Sequence, residues 1–190
     1  MSSSNSLKEL VNEEAVKHGW GILLVYPDVL KKFIEDLFKE FDSLRVLEIG
    51  CYKGMLYEWL KQHFPRDKYN WSYIGIDIIE PEDRVKEYKH YIMNAEALEF
   101  PSNSFELVIM IEVLEHVVDY VKALREIYRV LRPGGGLFIQ SVSCFDKCAL
   151  VDKSHFHVLH PETLGRLLRW LGYREIWYKL NGNFVLTARK

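Results

Sequence analysis

Two apolar periods alternate along the chain. From Pro27, Leu30, Phe33, Ile34, Leu37, Phe38 and Phe41 recur at helical spacing, while Lys31, Lys32, Glu35, Asp36 and Lys39 fill the opposite side. Proline suits the first turn of such a helix. The period then shortens. Leu44–Ile49 is a short apolar run closed by Gly50, which predicts a strand. A helix is expected over Gly54–Phe64, and strands over Trp71–Asp77 and Lys89–Met93. Phe105–Ile111 is apolar almost without break, as in a strand buried on both faces. Val117–Leu131 returns to helical spacing through Val117, Val121, Leu124, Ile127, Tyr128 and Leu131, and Arg132-Pro133-Gly134-Gly135-Gly136 stops it. Leu137–Val142 predicts a fifth strand. A loop of about 18 residues follows, a length often associated with function in a compact domain. Pro161 opens a last helix through Leu164, Leu167, Leu168 and Leu171, ending at Gly172. Tyr173–Tyr178 and Phe184–Ala188 flank an Asn181-Gly182 turn and predict a closing hairpin.

Strands alternating with helices imply βαβ units and a mostly parallel sheet. The hairpin adds one antiparallel strand. No internal repeat or linker divides the chain. The expected organisation is one α/β structural domain, with a core over 44–190 and an N-terminal helical segment over 1–43. A short helix is expected over 7–18, and the Ser/Asn-rich residues 1–6 are expected to fray.

Composition narrows the class. With 190 residues, 48% hydrophobic and 27% charged, the chain has the makeup of a soluble globular protein, not a disordered one. A net charge of −2 lacks the basic excess of a dedicated nucleic-acid binder. Residues 151–190 carry 7 Lys/Arg against 3 Asp/Glu, read as a solvated basic face. No run nears the ~18 apolar residues that cross a bilayer, and no apolar leader opens the chain. Cys51, Cys144 and Cys148 form no CxxC pair, which points to a reduced, cytoplasmic protein.

A parallel α/β sheet binds ligands beyond the carboxyl ends of its strands. The first strand runs into Glu48-Ile49-Gly50-Cys51-Tyr52-Lys53-Gly54, where glycine permits a sharp turn and close approach to a ligand. The second ends in Asp77, an acceptor suited to ribose hydroxyls. NAD is disfavoured: the G-x-G-x-x-G cradle is broken by Tyr52 and Met55, and no phosphate-binding GxxxxGK[ST] loop occurs.

VLEIGCYKG resembles the first motif of class I S-adenosylmethionine-dependent methyltransferases. NAEALEFPSNSFELVIMIEVLEHVVDYVKALREIYRVLRPGGGLFI is similar to the core of that superfamily's small-molecule branch, the methyltransferase type 11 domain. HPETLGRLLRWLGY is similar to the branch's late helix. The resemblance spans about residues 44–180. It implies a Rossmann-like three-layer sandwich with a seven-stranded sheet whose last strand is antiparallel. It implies S-adenosyl-L-methionine as cofactor and S-adenosyl-L-homocysteine as product. By motif, Glu48 and Gly50 form the turn around the methionine and ribose, with Cys51 and Tyr52 beside it and Gly54 starting the next helix. Asp77 would bind the ribose and Ile78 pack on the adenine. Asn94, Ala95 and Glu96 would border the adenine, Ile111 and Glu112 would face the methionine, and His116 matches a histidine common in the branch. The basic-Pro-Gly-Gly turn is a fold signature. Tyr52 departs from the pattern, which usually has glycine there. The resemblance also implies that N-terminal additions often lid the acceptor pocket. Trp20, Tyr26 and Phe33 could serve there, or belong to the core.

Methyl transfer needs an acceptor atom in line with the S–CH₃ bond, and a hydroxyl acceptor needs a base. The loop after the fifth strand supplies His155, His157 and His160 within six residues. His155 or His157 is the candidate base or acceptor-orienting group; the alternative is hydrogen bonding to loop backbone. His160 is the expected cap of the following helix. A Glu–His pair at Glu112, Glu115 and His116 could also be catalytic. A metal at His155, His157 and His160 lacks a supporting carboxylate beyond Asp152, so no metal is expected. The reading is a methyltransferase acting on an O or N atom of a small-molecule acceptor, without membrane association and with nucleic acid disfavoured. The alternatives are a methyltransferase acting on tRNA or protein, and a non-enzymatic cofactor-binding scaffold of the same fold. Nothing in the sequence sets an oligomeric state.

Overall fold

The run Phe105–Ile111, apolar except at Glu106, takes the position that needs it, inside the sheet with helices on both faces. In the computed structural model, which describes residues 9–10, 24–142, 144–145 and 147–190, the elements are α1 (Pro27–Phe38), β1 (Leu44–Ile49), α2 (Met55–His63), β2 (Trp71–Asp77), β3 (Lys89–Ile92), β4 (Phe105–Ile111), a 3₁₀ turn (Leu114–His116), α3 (Tyr120–Val130), β5 (Leu131–Ser141), α4 (Lys147–Val151), α5 (Pro161–Trp170), β6 (Arg174–Asn181) and β7 (Asn183–Arg189). The strands form one seven-stranded sheet in the order β3-β2-β1-β4-β5-β7-β6. β1 to β5 run parallel, and β7 is antiparallel to both β5 and β6. The sandwich and its reversed last strand match the expected architecture.

Side chains alternate across β4 although all but Glu106 are apolar. Leu107, Ile109 and Ile111 face a layer that includes Leu30, Ile34 and Leu37 of α1 and Leu56 and Leu60 of α2. Val108 and Met110 face Leu124 and Ile127 of α3 and Leu164 and Leu168 of α5. Burial of these aliphatic groups, each contributing roughly 1.5–3 kcal/mol, is what holds the three layers. Tyr26 and Phe33 belong to the α1 side of this core. Trp20 and most of the predicted 7–18 helix lie outside the described residues.

Three boundaries depart from the sequence reading. Helix α3 starts at Tyr120, not Val117, because Asp119 caps it, its carboxylate accepting from Lys122 N–H at 2.9 Å. Strand β5 begins at Leu131, before the predicted stop. Leu131 pairs with Phe105 and Gly136 with Leu107, so Arg132–Gly135 bulge out of the ladder. The bulge is tied down at the amino end of the parallel strands. Arg132 Nη1 donates to Glu106 Oε1 at 2.8 Å, and Arg45 N–H donates to Glu106 Oε2 at 2.7 Å. The basic-Pro-Gly-Gly segment is thus structural and remote from the strands' carboxyl ends. Finally, the long loop contains the short helix α4.

Candidate active site

The carboxyl ends of β1, β2 and β4 open on a cavity of about 340 Å³. The chain crosses beneath it after β1 in an unusual path. Gly50 has φ +77°, and a Cβ there would sit 2.1 Å from Val113 Cγ2. Glycine is therefore required both by backbone conformation and by the Val113 side chain over it. Gly54 (φ +85°) caps α2 against the Tyr88 ring and does not line the cavity. Tyr52 adopts φ +40°, the left-handed region that glycine prefers. Its conformation is held from β2: Tyr52 N–H donates to Asp77 Oδ2 at 2.9 Å, and Ile79 N–H to Asp77 Oδ1 at 3.2 Å. Burial raises the Asp77 pKa, and these backbone donors oppose that rise.

Glu48 lies beneath, 4% exposed, accepting a hydrogen bond from Tyr73 Oη. Burial pushes its carboxyl up to about 8. Cys51 is buried as well. Its thiol is pushed far up by burial and then by the Glu48 and Asp77 charges, the opposite of an activated nucleophile. Ile78, Ile79, Met93 and Ala95 supply an apolar wall, with Asn94 and Glu96 at its rim. Asn94 Oδ1 accepts from Glu96 N–H at 2.9 Å, fixing that turn.

The opposite wall follows β4. Glu112, at φ +53°, receives hydrogen bonds from Gln140 Nε2 (2.7 Å) and Asn183 Nδ2 (2.9 Å) on one carboxylate oxygen. Glu115 is fully buried. Its Oε2 accepts from Ser141 Oγ at 2.8 Å, and burial together with the Glu112 charge pushes its carboxyl up to about 8. His116 is pushed down to about 4, first by burial and then by the His155 charge, so it is neutral near pH 7. His155 arrives from the long loop, and the two imidazole centroids stand 4.8 Å apart.

Of the residues singled out in the sequence, Glu48, Gly50, Cys51, Tyr52, Asp77, Ile78, Asn94, Ala95, Glu96, Ile111, Glu112, His116 and His155 all line this cavity. His157 does not. Phe156 N–H and His157 N–H both donate to the Glu115 carbonyl (2.9 and 3.3 Å), a bend between the two imidazoles. His157 instead bonds Val118 O at 3.0 Å through Nε2 and stacks edge-on to Tyr120. His160 accepts from Glu162 N–H at 3.2 Å and caps α5, as expected. Sequence reasoning missed Asp152, Met93 and Ile79 as lining residues. Glu115, named in the sequence only as a possible partner of His116 in a Glu–His pair, also lines the cavity.

This sheet order, a glycine turn after β1 and an acidic end to β2 define a class I methyltransferase, the superfamily that uses S-adenosylmethionine. A family model described as a methyltransferase domain matches residues 25–177, and the chain belongs to that family. Among curated relatives, a ubiquinone/menaquinone biosynthesis C-methyltransferase UbiE of Vibrio vulnificus is 42% identical over 53% of this chain and 50% of its own. A ubiquinone biosynthesis O-methyltransferase of Ruegeria pomeroyi is 34% identical over 55% of this chain and 44% of its own. The chain thus spans about half the length of these relatives or less. A solved S-adenosylmethionine-dependent methyltransferase from Archaeoglobus fulgidus shares the fold with a TM-score of 0.65 and 20% identity, over 86% of this chain and 94% of that one.

Proposed function

We propose that the protein transfers the methyl group of S-adenosyl-L-methionine to a hydroxyl oxygen of a small-molecule acceptor. The observation carrying this reading is the division of one cavity into two chemically distinct walls. The β1–β2 wall offers the glycine turn, Asp77 and an apolar face for a nucleoside. The β4 wall offers Glu112, Glu115, His116 and His155, titratable groups with no place in holding a nucleoside. Little covalent chemistry is asked of the protein. The sulfonium carbon is already electrophilic, so alignment of the acceptor oxygen behind it supplies most of the acceleration. A hydroxyl must also lose its proton, and a positioned acceptor group is worth roughly 10²–10⁴-fold. His116 and His155 are the groups assigned to orient and activate that oxygen.

Basic side chains support a small acceptor over a nucleic acid. Among the described residues, only Lys53 brings a permanent positive charge to the cavity lining, and it pairs with Asp83 at 2.8 Å. No phosphate track is present there. The relative named as a C-methyltransferase favours a second reading, in which the attacking atom is a carbon beside such a hydroxyl; the same proton removal serves it. No helix among the described residues is long and apolar enough to cross a membrane. Cytoplasmic residence is part of the proposal and accords with the free thiols of Cys51 and Cys144. So is the lid. No described residue before Glu48 lines the cavity, but Val25 N–H bonds Gln140 Oε1 at 2.8 Å, next to Glu112. Val25, among the described residues, is therefore held beside Glu112 through Gln140. Residues 1–8 and 11–23 lie outside the described residues.

The test is methyl transfer from isotopically labelled S-adenosyl-L-methionine to panels of phenols, quinols and hydroxy acids, with tRNA and protein fractions in parallel, read by mass spectrometry. Label in a hydroxylated small molecule supports the reading. Label confined to macromolecules, or cofactor binding without transfer to any acceptor, overturns it.

A further inference from the structure

Two of the side chains assigned above to the acceptor, His116 and His155, meet a third, Glu115, on the β4 wall. One carboxylate oxygen of Glu115 and one nitrogen each of His116 and His155 lie within 4.8 Å of one another. Glu115 is fully buried, and while Oε2 accepts from Ser141, its other oxygen, Oε1, is buried without a hydrogen-bond partner among the described residues. Glu112 stands against the same carboxyl, and two acidic groups in a buried site must share a proton or take a cation between them. Ser141 cannot reach both Glu115 oxygens, and neither imidazole is placed to donate to Oε1. His116 Nδ1 faces Ser154 O at 3.1 Å, and His155 Nδ1 faces Ala149 O at 2.8 Å. A carbonyl oxygen only accepts, so both Nδ1 atoms carry the hydrogen and, in the neutral rings, both lone pairs are on Nε2. This is the arrangement by which metal-ligating histidines are oriented: one ring nitrogen donates to a backbone carbonyl and the other faces the ion.

From this geometry we propose that Glu115, His116 and His155 form a binding site for one divalent transition-metal cation at the acceptor end of the cavity. Two imidazoles and one carboxylate suit zinc or ferrous iron, and three protein ligands leave coordination positions open. The open positions face the cavity, where oxygen atoms of an acceptor would complete the shell. Asp152 Oδ2, 3.7 Å from His155 Nε2, lines the same cavity and stands beside the ion. Bonds of ~2.0–2.1 Å require the three ligand atoms to draw together by about an ångström, within reach of side-chain rotation. The site gathers residues 39 positions apart, which explains why the histidine spacing in the loop alone did not reveal it.

Ion binding itself needs neither cofactor nor acceptor, so it is tested apart from the methyltransferase reading. Untagged protein, stripped with chelator, is titrated with Zn²⁺ by calorimetry and with Co²⁺ by visible absorption. The expected result is one ion per chain with micromolar or tighter affinity. His155→Ala and Glu115→Gln should weaken it by more than the roughly tenfold that follows loss of an outer hydrogen-bonding partner. His157→Ala, whose ring lies outside the cavity, should leave it unchanged. His155→Ala keeps the proposal falsifiable if Glu115→Gln fails to fold, because His155 comes from a surface loop. S-adenosyl-L-homocysteine binding, measured on the same samples, separates loss of the ion site from loss of the cofactor site. No saturable binding by the wild type, or equal weakening by His157→Ala and His155→Ala, overturns the proposal.

Discussion

The backbone N–H of Tyr52 donates to Asp77 Oδ2 at 2.9 Å, so the carboxylate that ends β2 also fixes the turn that follows β1. Asp77 therefore has two tasks: it shapes the turn and it faces the cavity. Asp77→Ala is expected to lower affinity for S-adenosyl-L-homocysteine by about 10–100-fold, since hydrogen bonds to a charged group are worth roughly 1.5–3 kcal/mol. Asp77→Asn, which keeps one acceptor oxygen, should lose less. Calorimetric titration of the three proteins checks the order. Equal affinities would place the ribose elsewhere.

Gly50 and Tyr52 both have positive φ but should respond differently to substitution. Gly50→Ala puts a methyl group 2.1 Å from Val113 Cγ2 in a conformation that disfavours it, so it should be destabilised by several kcal/mol and bind cofactor poorly. Tyr52→Gly relieves left-handed strain of roughly 1–2 kcal/mol and adds unfolded-chain freedom worth roughly 0.4–1 kcal/mol, so its stability should stay within about 1 kcal/mol of wild type. Chemical denaturation distinguishes the two. A large loss in Tyr52→Gly would mean that the phenol ring itself stabilises the turn.

Glu48 gives the fold a pH dependence of defined sign. Its carboxyl lies near 8 when folded, against an ordinary value near 4.5. The folded state therefore holds a proton that the unfolded chain releases. The associated stabilisation is complete below about pH 4.5 and is lost as pH rises through 8. The expected loss is at most on the order of 5 kcal/mol, or about 10–20 °C in melting temperature for a chain of this size. Thermal melts of cofactor-free protein from acid to alkaline pH should show a steeper fall for wild type than for Glu48→Gln. Parallel slopes would mean that the proton resides on another group.

Most of the fold could be read from the chain because its central strands are either apolar almost throughout, as in β4, or closed by glycine, as in β1. Phe105–Ile111 and Leu44–Ile49 leave little choice, and Asn181-Gly182 marks the hairpin that reverses β7. Reading failed where local punctuation and tertiary pairing disagree. Pro133 and three glycines end a helix, yet β5 pairs on both sides of them, because the Glu106 carboxylate holds the bulge through Arg132. The β1–β2 wall of the cavity was legible since its residues lie at or just after strand ends. The β4 wall was only half legible. His116 carries a motif, whereas its meeting with His155 depends on the path of the loop, and the separation of His155 from His157 depends on one bend at the Glu115 carbonyl.

The strand order has a consequence for how the molecule holds together. Val46 of β1 lies opposite Leu107 of β4, and the cavity sits at the end of this seam. One wall belongs to the chain from β1 to β3 and the other to the chain from β4 onward. These halves come together through contacts of long sequence separation, which form slowly and at high entropic cost. A small molecule lodged across the seam fastens both halves at once, as a reversible cross-link would, and its binding free energy adds to the cohesion of the fold. The bound protein should therefore exchange its amide hydrogens more slowly on both sides of the β1–β4 seam, including in strands that never touch the ligand.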